Sequence, residues 1–286
     1  MAQCDVCFRH CVLEEGQTGS CGARGNRGGE IRPLFYGRAS GLALDPIEKK
    51  PLARFYPGSK ILSVGSLGCN LHCSFCQNHE ISQAGAGGQF AVRTEELPPE
   101  ELAALAAQYR SRGNIGVAFT YNEPLVGYEY VRDTAKLVRE RGMKNVLVTN
   151  GCVEGTILDR VSPYIDAMNI DLKGFTDRYY REVLRGDRGM VMDFIREAVK
   201  RCHVELTTLI VPGENDGEEE MRELSAWVAG LTEVFGGRRG NEIPLHVSRF
   251  FPRYRMTDRG PTDTARVYAL AREAGKRLKY VYPGNC

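Results

Sequence analysis

Three closely spaced cysteines are the residues of this chain with the clearest potential for chemistry. Cys69, Cys73 and Cys76 follow a C-x3-C-x2-C spacing, directly after the apolar run at residues 61–67. Three thiolates can bind three irons of a cubane [4Fe-4S] cluster and leave the fourth iron free to accept a small molecule. An open coordination position is typical of metal sites that do chemistry. The spacing therefore predicts a reactive iron–sulfur site at the end of a strand.

Two other interpretations of these cysteines remain open at this point. His72 or His79 could act as a fourth ligand and complete a structural zinc site. The three cysteines could also be reduced core residues without any metal. The position directly after an apolar run favours the iron–sulfur interpretation.

A second set of cysteines, Cys4, Cys7, Cys11 and Cys21, lies near the amino terminus. The segment around them has few periodic apolar residues, so a bound metal would supply stability that it otherwise lacks. Four thiolates suit tetrahedral zinc and equally suit a closed [4Fe-4S] cluster. His10 could replace one ligand, and reduced cysteines without metal are the remaining interpretation. We expect a metal here and leave its identity open.

Composition excludes several classes of function. Lys and Arg total 38 and Asp and Glu total 36, and this balance predicts neither a nucleic-acid nor a membrane partner. No apolar run approaches the roughly 18 residues of a membrane-spanning helix, and the amino terminus lacks the layout of a signal peptide. We therefore expect a cytoplasmic protein, whose ten cysteines serve metals more than disulfides.

The elements that must position these residues form an alternating pattern. Short apolar runs alternate with segments of helical period from residue 59 onward, which predicts an α/β fold with a parallel sheet. Seven strands are predicted, at residues 60–67, 115–121, 145–149, 165–172, 203–211, 245–250 and 278–282. They favour a partial, open TIM-like barrel of about six βα units plus a C-terminal strand, spanning residues 59–286. Residues 1–58 are predicted to form a Cys-rich metal-binding appendage, and residues 85–88 a loop.

Polar side chains stand where these predicted strands end. Asn122 and Glu123 follow the second strand, and Asn150 follows the third. Asp171 and Lys173 end the fourth. Functional groups of βα barrels lie at the carboxyl ends of strands, so we expect these side chains to line one pocket. His246, inside the sixth strand, is by itself more typical of a satisfied core residue.

The three-cysteine spacing, with Phe75 before its last cysteine, resembles the signature of the radical S-adenosylmethionine (SAM) superfamily. In that superfamily the unique iron binds the amino and carboxylate groups of SAM, and an electron from the cluster cleaves SAM to methionine and a 5′-deoxyadenosyl radical. Residues 121–124 occupy the place of a glycine-glycine-glutamate-proline motif, from which Asn122 departs. Residues 171–173 are similar to an aspartate-leucine-lysine stretch of glycyl-radical activating enzymes. The resemblance implies SAM contacts from Phe75, Cys76, Gln77, Asn122, Glu123, Asn150, Asp171, Lys173 and His246.

Motifs along almost the whole chain resemble the radical SAM component of the AmmeMemoRadiSam system, a family similar to pyruvate formate-lyase activating enzymes. They include residues 4–21, 45–52, 68–70, 75–78, 120–124, 148–151 and 282–285. The resemblance implies an electron donor such as flavodoxin or ferredoxin, and partners of the AMMECR and Memo families. Other members continue with a further Cys-x2-Cys pair, whereas this sequence ends at Cys286.

Three functions remain possible from the sequence. The enzyme would abstract hydrogen from a protein substrate, as glycyl-radical activating enzymes do, and an open barrel mouth favours this function. It would alternatively transform a small molecule by the same radical. A non-catalytic metal-binding scaffold is the third function, and the weakest.

Overall fold

The computed structural model describes residues 1–84 and 90–286. The loop predicted at residues 85–88 lies outside the described residues. The strands are β1 (Ala2–Gln3), β2 (Val12–Leu13), β3 (Arg24–Arg27), β4 (Glu30–Pro33), β5 (Arg38–Ala39), β6 (Gly41–Pro46), β7 (Lys60–Gly65), β8 (Glu95–Glu96), β9 (Asn114–Phe119), β10 (Lys144–Thr149), β11 (Ala167–Asp171), β12 (His203–Ile210), β13 (Leu245–Arg249) and β14 (Val281–Gly284). The helices are α1 (His79–Ser82), α2 (Pro99–Gln108), α3 (Tyr128–Glu140), α4 (Gly155–Val161), α5 (Asp177–Tyr179), α6 (Arg188–Arg201), α7 (Glu218–Ala229) and α8 (Thr264–Gly275).

The main sheet, in the described part of the chain, has eight strands in the order β14-β13-β12-β11-β10-β9-β7-β6. Every neighbouring pair from β7 to β14 is parallel, and β6 pairs antiparallel with β7. Within the described residues, β6 and β14 are the two edge strands of this sheet and do not pair with each other. The sheet is therefore a partial TIM-like barrel, which confirms the predicted fold class.

Local sequence explains why these elements form. The central strands are rich in buried Val, Ile and Leu, as strands covered on both faces require. Helix α2 begins with Pro99 at its first position and buries Leu102 and Ala106 on one face, as the apolar spacing predicts. The Asp187 carboxylate caps α6 by accepting a hydrogen bond from the Met190 backbone N–H at 3.0 Å. Helices and strands thus follow ordinary propensity and capping.

Several contacts join the amino-terminal segment to the barrel. Strand β6 lies within residues 1–58, yet it forms an edge of the main sheet. In the more irregular part of the segment, the Arg24 guanidinium donates to both carboxylate oxygens of Glu129, on α3, at 2.9 and 2.8 Å. The domain boundary at residue 58 remains a prediction. One strand of the main sheet, β6, lies on the amino-terminal side of that boundary. No helix of the described residues is long and apolar enough to cross a membrane.

The segment after β6 crosses the barrel near the amino ends of its strands. The Glu205 carboxylate on β12 accepts hydrogen bonds from the backbone N–H groups of Ala53 and Arg54 at 2.9 and 2.7 Å. The Asn169 side chain on β11 donates to the Pro51 carbonyl at 2.8 Å. Leu52, between them, has no exposed surface. Residues 51–54 therefore cover this lower end of the barrel, and we call them the lower plug.

Candidate active site

The loop that follows β7 carries the three cysteines. The Asn122 side chain holds this loop from both sides, since it accepts a hydrogen bond from the Ser66 N–H and donates one to the Gly68 carbonyl, each at 3.0 Å. The Cys69 N–H donates to the Cys21 carbonyl at 3.2 Å, so the appendage also supports the loop. The departure of residue 122 from glycine thus supplies an amide that fixes the cysteine loop.

The cysteine side chains lie among donors and a cation. Asn150 Nδ2 donates to Cys69 Sγ at 3.6 Å, and Cys76 Sγ lies 3.1 Å from the Ser82 hydroxyl. Burial raises the pKa of the Cys73 thiol to about 12, against the opposing field of the Lys173 ammonium. Iron binding would replace the proton on each thiol, and the nearby donors would stabilise the resulting thiolate.

The donor set fits a cubane cluster with an open iron. The three thiols lie on one loop and interact electrostatically with one another. No group of three or more His, Cys, Asp or Glu side chains among the described residues is arranged to hold a single metal ion. A cubane does not need such convergence, because each thiolate binds its own iron.

The two histidines that could complete a zinc site have other partners. His72 Nδ1 lies 2.7 Å from Gln83 Oε1, and its Nε2 lies 2.9 Å from the Ser20 hydroxyl. Both ring nitrogens are therefore engaged away from the cysteines. His79 Nδ1 lies 3.3 Å from the Cys76 carbonyl oxygen, not from a cysteine sulfur, and the ring stacks on Tyr254 at 4.5 Å between ring centroids. Neither histidine supports the zinc interpretation.

Glu123 is a buried carboxylate beside the cysteine loop. It accepts hydrogen bonds from the Thr149 hydroxyl at 2.7 Å and from the backbone N–H groups of Asn150 and Leu125 at 2.7 and 3.0 Å. Burial raises its pKa to about 7, although these hydrogen bonds act in the opposite direction. The carboxylate thus ties the ends of β9 and β10 together and orients Asn150 towards Cys69.

Asp171 and Lys173 form an ion pair at the end of β11. The Lys173 ammonium donates to the Asp171 carboxylate at 2.7 Å. Burial alone would lower the pKa of Lys173, but the charge and the hydrogen bond of Asp171 outweigh burial and raise it. Both side chains interact electrostatically with Cys73. The structure thus brings this pair to the cysteine site, as the sequence predicts.

His246 lies on β13 and has a different partner. Its Nε2 is 2.7 Å from Glu205 Oε2, while His203 Nε2 is 2.9 Å from the other oxygen of Glu205. The His246 ring stacks on Tyr282 at 5.3 Å. Sheet register places Asp171, Thr207, His246 and Tyr282 side by side across β11, β12, β13 and β14. His246 is therefore both level with Asp171 and satisfied within the sheet.

Phe75 and Gln77 are the two remaining residues predicted to contact SAM, and they differ in burial. Phe75 is 6% exposed and packs edge-on against Phe250 at 6.1 Å between ring centroids. Gln77 is exposed. Phe75 thus supports the loop from the core side, and Gln77 lies on its open side.

The four amino-terminal cysteines line one cavity. Cys4, Cys7 and Cys21 are buried, and Cys11 is partly exposed. His10, the predicted substitute ligand, is not in the cavity lining and lies 3.3 Å from a Glu154 carboxylate oxygen.

Sequence reasoning missed the role of Asn70. This side chain has no exposed surface, donates to the Cys152 carbonyl at 2.7 Å and accepts a hydrogen bond from Asn150 Nδ2 at 2.9 Å. It therefore links the cysteine loop to the end of β10. Its position directly after Cys69 is the signal that could have identified it.

Comparisons with known proteins agree with this geometry. A family model described as the Radical SAM superfamily matches residues 63–225, more than half of the chain. "Uncharacterized protein MJ0808" of Methanocaldococcus jannaschii is 40% identical over 287 residues, which cover 99% of this chain and 81% of that protein. The pyruvate formate-lyase-activating enzyme of Clostridium pasteurianum is 28% identical over 173 residues, 58% of this chain and 68% of that enzyme.

A solved structure agrees on the fold. Streptococcus suis SuiB bound to S-adenosylmethionine aligns with a TM-score of 0.59 at 14% identity, covering 79% of this chain and 52% of that one. At this identity the likeness concerns the fold alone. The family match shows that the chain belongs to the radical SAM superfamily, and its relatives show that it is related to pyruvate formate-lyase activating enzymes.

Proposed function

We propose that this radical SAM enzyme cleaves S-adenosylmethionine reductively at Cys69, Cys73 and Cys76 and abstracts hydrogen from a protein substrate. Family membership implies a [4Fe-4S] cluster, SAM and a reductant. The observation that carries the residue assignment is the convergence of three strand ends on the cysteine loop. Asn150 donates to Cys69, and the Asp171–Lys173 pair acts electrostatically on Cys73.

In this proposal the residues of the site have different roles. The three thiolates bind iron, and Asn70, Asn122 and Asn150 fix the loop that carries them. When bound, cluster and SAM supply the electron and the 5′-deoxyadenosyl radical.

The remaining polar groups would bind SAM. Asp171 and Lys173 present a carboxylate and an ammonium, which suit the amino and carboxylate groups of its methionyl part. Glu123 faces the same region, although its carboxylate already accepts three hydrogen bonds. We assign Phe75, Cys76, Gln77, Asn122 and His246 to the surroundings of SAM on the resemblance alone.

Access to the cysteine loop and the names of related proteins both support a protein substrate. The lower plug covers the amino ends of the strands, so a substrate would approach from the carboxyl ends, where the cysteine loop lies. No pairing in the described residues joins β6 to β14, so we expect a mouth that a polypeptide could enter. Relatives named as pyruvate formate-lyase activating enzymes support the same reading. We further propose flavodoxin or ferredoxin as reductant, AMMECR-type and Memo-type partners and a cytoplasmic location.

The same proposal includes a metal at Cys4, Cys7, Cys11 and Cys21. Its support is the single cavity that the four side chains line.

Cleavage of SAM tests the catalytic assignment. Anaerobically reconstituted protein with dithionite and SAM should release 5′-deoxyadenosine, and Cys69→Ala should abolish the release because one iron loses its thiolate. Cys286→Ala, which removes an exposed isolated cysteine, is the control and should retain full activity. Release that persists in Cys69→Ala would refute the assigned site.

Isotope transfer tests the substrate class. Candidate proteins labelled with deuterium, including AMMECR-type and Memo-type partners, should transfer deuterium into 5′-deoxyadenosine, as detected by mass spectrometry. Transfer from a labelled small molecule, with none from any protein, would instead establish small-molecule chemistry.

A further inference from the structure

The four amino-terminal cysteines surround a space with largely apolar walls. Cys7 lies close enough to Cys4, Cys11 and Cys21 to interact electrostatically with all three. The Cys4 N–H donates to the Cys11 carbonyl at 2.9 Å, which fixes the first turn of this arrangement. Apolar Val6, Leu13 and Val126, together with Gly19 and the two arginines Arg9 and Arg24, also line the cavity. The fold therefore gathers four soft ligands, separated by 17 positions at most, round one cavity.

The cavity wall contains an unused hydrogen-bond donor. Arg24 lines the cavity and is 5% exposed. Its terminal nitrogens donate to Glu129 and to the Val126 carbonyl, but its Nε is buried and has no partner within residues 1–84 and 90–286. Buried N–H groups are rarely left unpaired, so a ligand with acceptor atoms in this cavity would supply a partner that the Arg24 side chain otherwise lacks.

We propose that Cys4, Cys7, Cys11 and Cys21 hold a closed [4Fe-4S] cluster that carries one electron at a time to the site at Cys69, Cys73 and Cys76. This inference rests on the metal proposed above for these cysteines and gives that metal an identity and a role. Tetrahedral zinc would need four sulfurs converging on one ion, and no group of three or more His, Cys, Asp or Glu side chains in residues 1–84 and 90–286 is arranged in that way. A cubane does not need such convergence, because each thiolate binds a separate iron. Its sulfur atoms also offer the acceptor that Arg24 Nε lacks.

Backbone contacts place the second site directly beside the first. The Cys69 N–H donates to the Cys21 carbonyl at 3.2 Å, which links one ligand of each site. The Arg9 side chain donates to the Asn70 carbonyl at 2.8 Å, so the two ligand loops meet at a second point.

This contact gives the electron a short route. A reductant of the flavodoxin or ferredoxin class would give up one electron, which the cluster held by Cys4, Cys7, Cys11 and Cys21 would accept and pass to the cluster held by Cys69, Cys73 and Cys76. No bond breaks and no proton moves in this transfer. Cys11 is the partly exposed ligand and marks the side at which the reductant approaches.

Metal analysis of cysteine variants tests the inference. After anaerobic reconstitution with iron and sulfide, the full chain should contain about eight irons, the sum of two cubanes. A triple variant, Cys69→Ala with Cys73→Ala and Cys76→Ala, should retain about four irons and show a reduced [4Fe-4S] signal by electron paramagnetic resonance. The double variant Cys4→Ser with Cys7→Ser should retain about four irons, at the other site. Cys286→Ala should keep about eight.

The results of these experiments distinguish three claims: that a metal is present, that it is a cluster, and that it carries electrons. One zinc and no iron in the triple variant would overturn the cluster but leave a metal site. No metal at all in that variant would overturn both. Because the triple variant leaves the amino-terminal segment intact, it gives an answer even if the double variant fails to fold. Spectra of the fully reduced chain should show spin–spin broadening that both variants lack, and unbroadened additive spectra would overturn the electron-carrier role.

Discussion

Glu205 is a fully buried carboxylate that four donors satisfy. Burial alone would raise its pKa, but hydrogen bonds from His203 and His246 outweigh burial and lower the pKa to about 2. The backbone N–H groups of Ala53 and Arg54 add two further hydrogen bonds from the lower plug. A carboxyl group whose pKa falls on folding stabilises the native state above its unfolded pKa. That stabilisation is lost as the pH falls through the folded pKa.

Glu205→Gln should destabilise the protein by about 1–3 kcal/mol near neutral pH, because one amide oxygen cannot satisfy all four donors that the two carboxylate oxygens accept. The native chain should lose stability between about pH 4.5 and pH 2, and the variant should lose less over this window. Urea unfolding at several pH values measures both effects. Parallel stability curves for the two proteins over this window would contradict the assigned charge.

Asp171 has a matched counterpart at the other end of the sheet. Asp171 pairs with Lys173 at 2.7 Å near Cys73, whereas Asp166 pairs with Lys144 at 2.9 Å at the amino ends of β10 and β11. Asp171→Asn should weaken SAM binding roughly tenfold, because it removes one charge-assisted contact worth about 1.4 kcal/mol. Asp166→Asn should leave SAM binding unchanged. Equilibrium dialysis with labelled SAM on reconstituted protein measures both, and equal losses would refute the SAM assignment.

Individual residues differ in how far the sequence predicts them. The cysteine loop is local, so its spacing alone predicts the site. His246 could not be assigned in this way, because its partner Glu205 lies 41 residues earlier and meets it only through the register of β12 and β13. Asn122 likewise gains its role from contacts with a loop 54 to 56 residues away. Long-range pairing is what the sequence pattern does not encode.

At the scale of elements, the cysteine loop depends on one glycine. Gly68 has φ +94°, a left-handed conformation that favours glycine, and a Cβ there would lie 2.5 Å from Ala23 Cβ and 2.6 Å from the Cys21 carbonyl oxygen. The close approach explains how the appendage can hydrogen bond to Cys69. Gly113 has a similar φ of +87° but open space around it.

Gly68→Ala should therefore cost more stability than Gly113→Ala. Strain alone predicts a loss of about 1–2 kcal/mol for Gly113→Ala, and the added clash raises the loss for Gly68→Ala to about 2–4 kcal/mol. Thermal unfolding of the two variants gives the comparison. Iron content of reconstituted Gly68→Ala should also fall, while Gly113→Ala should match the unsubstituted chain. Equal stability of Gly68→Ala and Gly113→Ala would show that the appendage does not pack closely against this loop.

All seven predicted strands of the barrel occur, because runs of buried β-branched residues between helical segments are a strong signal. Their bounds differ by a few residues, and β14 begins at Val281 rather than at residue 278. Strand β6 was missed. Its six residues are exposed or partly exposed and include Gly41 and Pro46, so its sequence is typical of a loop, and only pairing with β7 makes it a strand.

At the scale of the whole molecule, the amino-terminal segment and the barrel share a core. Leu52 lies within residues 1–58, yet it packs in a cluster with Ile61, Ala118 and Val146 from three barrel strands. Strand β6 and the lower plug add hydrogen bonds across the predicted division. The two parts should therefore unfold together.

Leu52→Ala should lower the free energy of unfolding by about 2–5 kcal/mol, because it leaves a cavity in this shared core. Trp227, the single tryptophan, lies on α7 in the barrel and reports unfolding there by fluorescence. A shift of the Trp227 transition would demonstrate coupling between the parts. Leu42→Ala, at a side chain 41% exposed, should shift it by less than about 0.5 kcal/mol. If Leu52→Ala leaves the unfolding transition of Trp227 unchanged, the two parts unfold as independent domains.

The lower plug also has a consequence for a radical enzyme. With residues 51–54 hydrogen bonded to β11 and β12, the protein's own backbone covers the amino end of the barrel at these strands. A radical formed beside the cysteine loop would then meet solvent and oxygen through the mouth at the carboxyl ends. The macromolecule that enters this mouth would shield the radical from quenching while it supplies the hydrogen, so the proposed substrate would also serve as the lid.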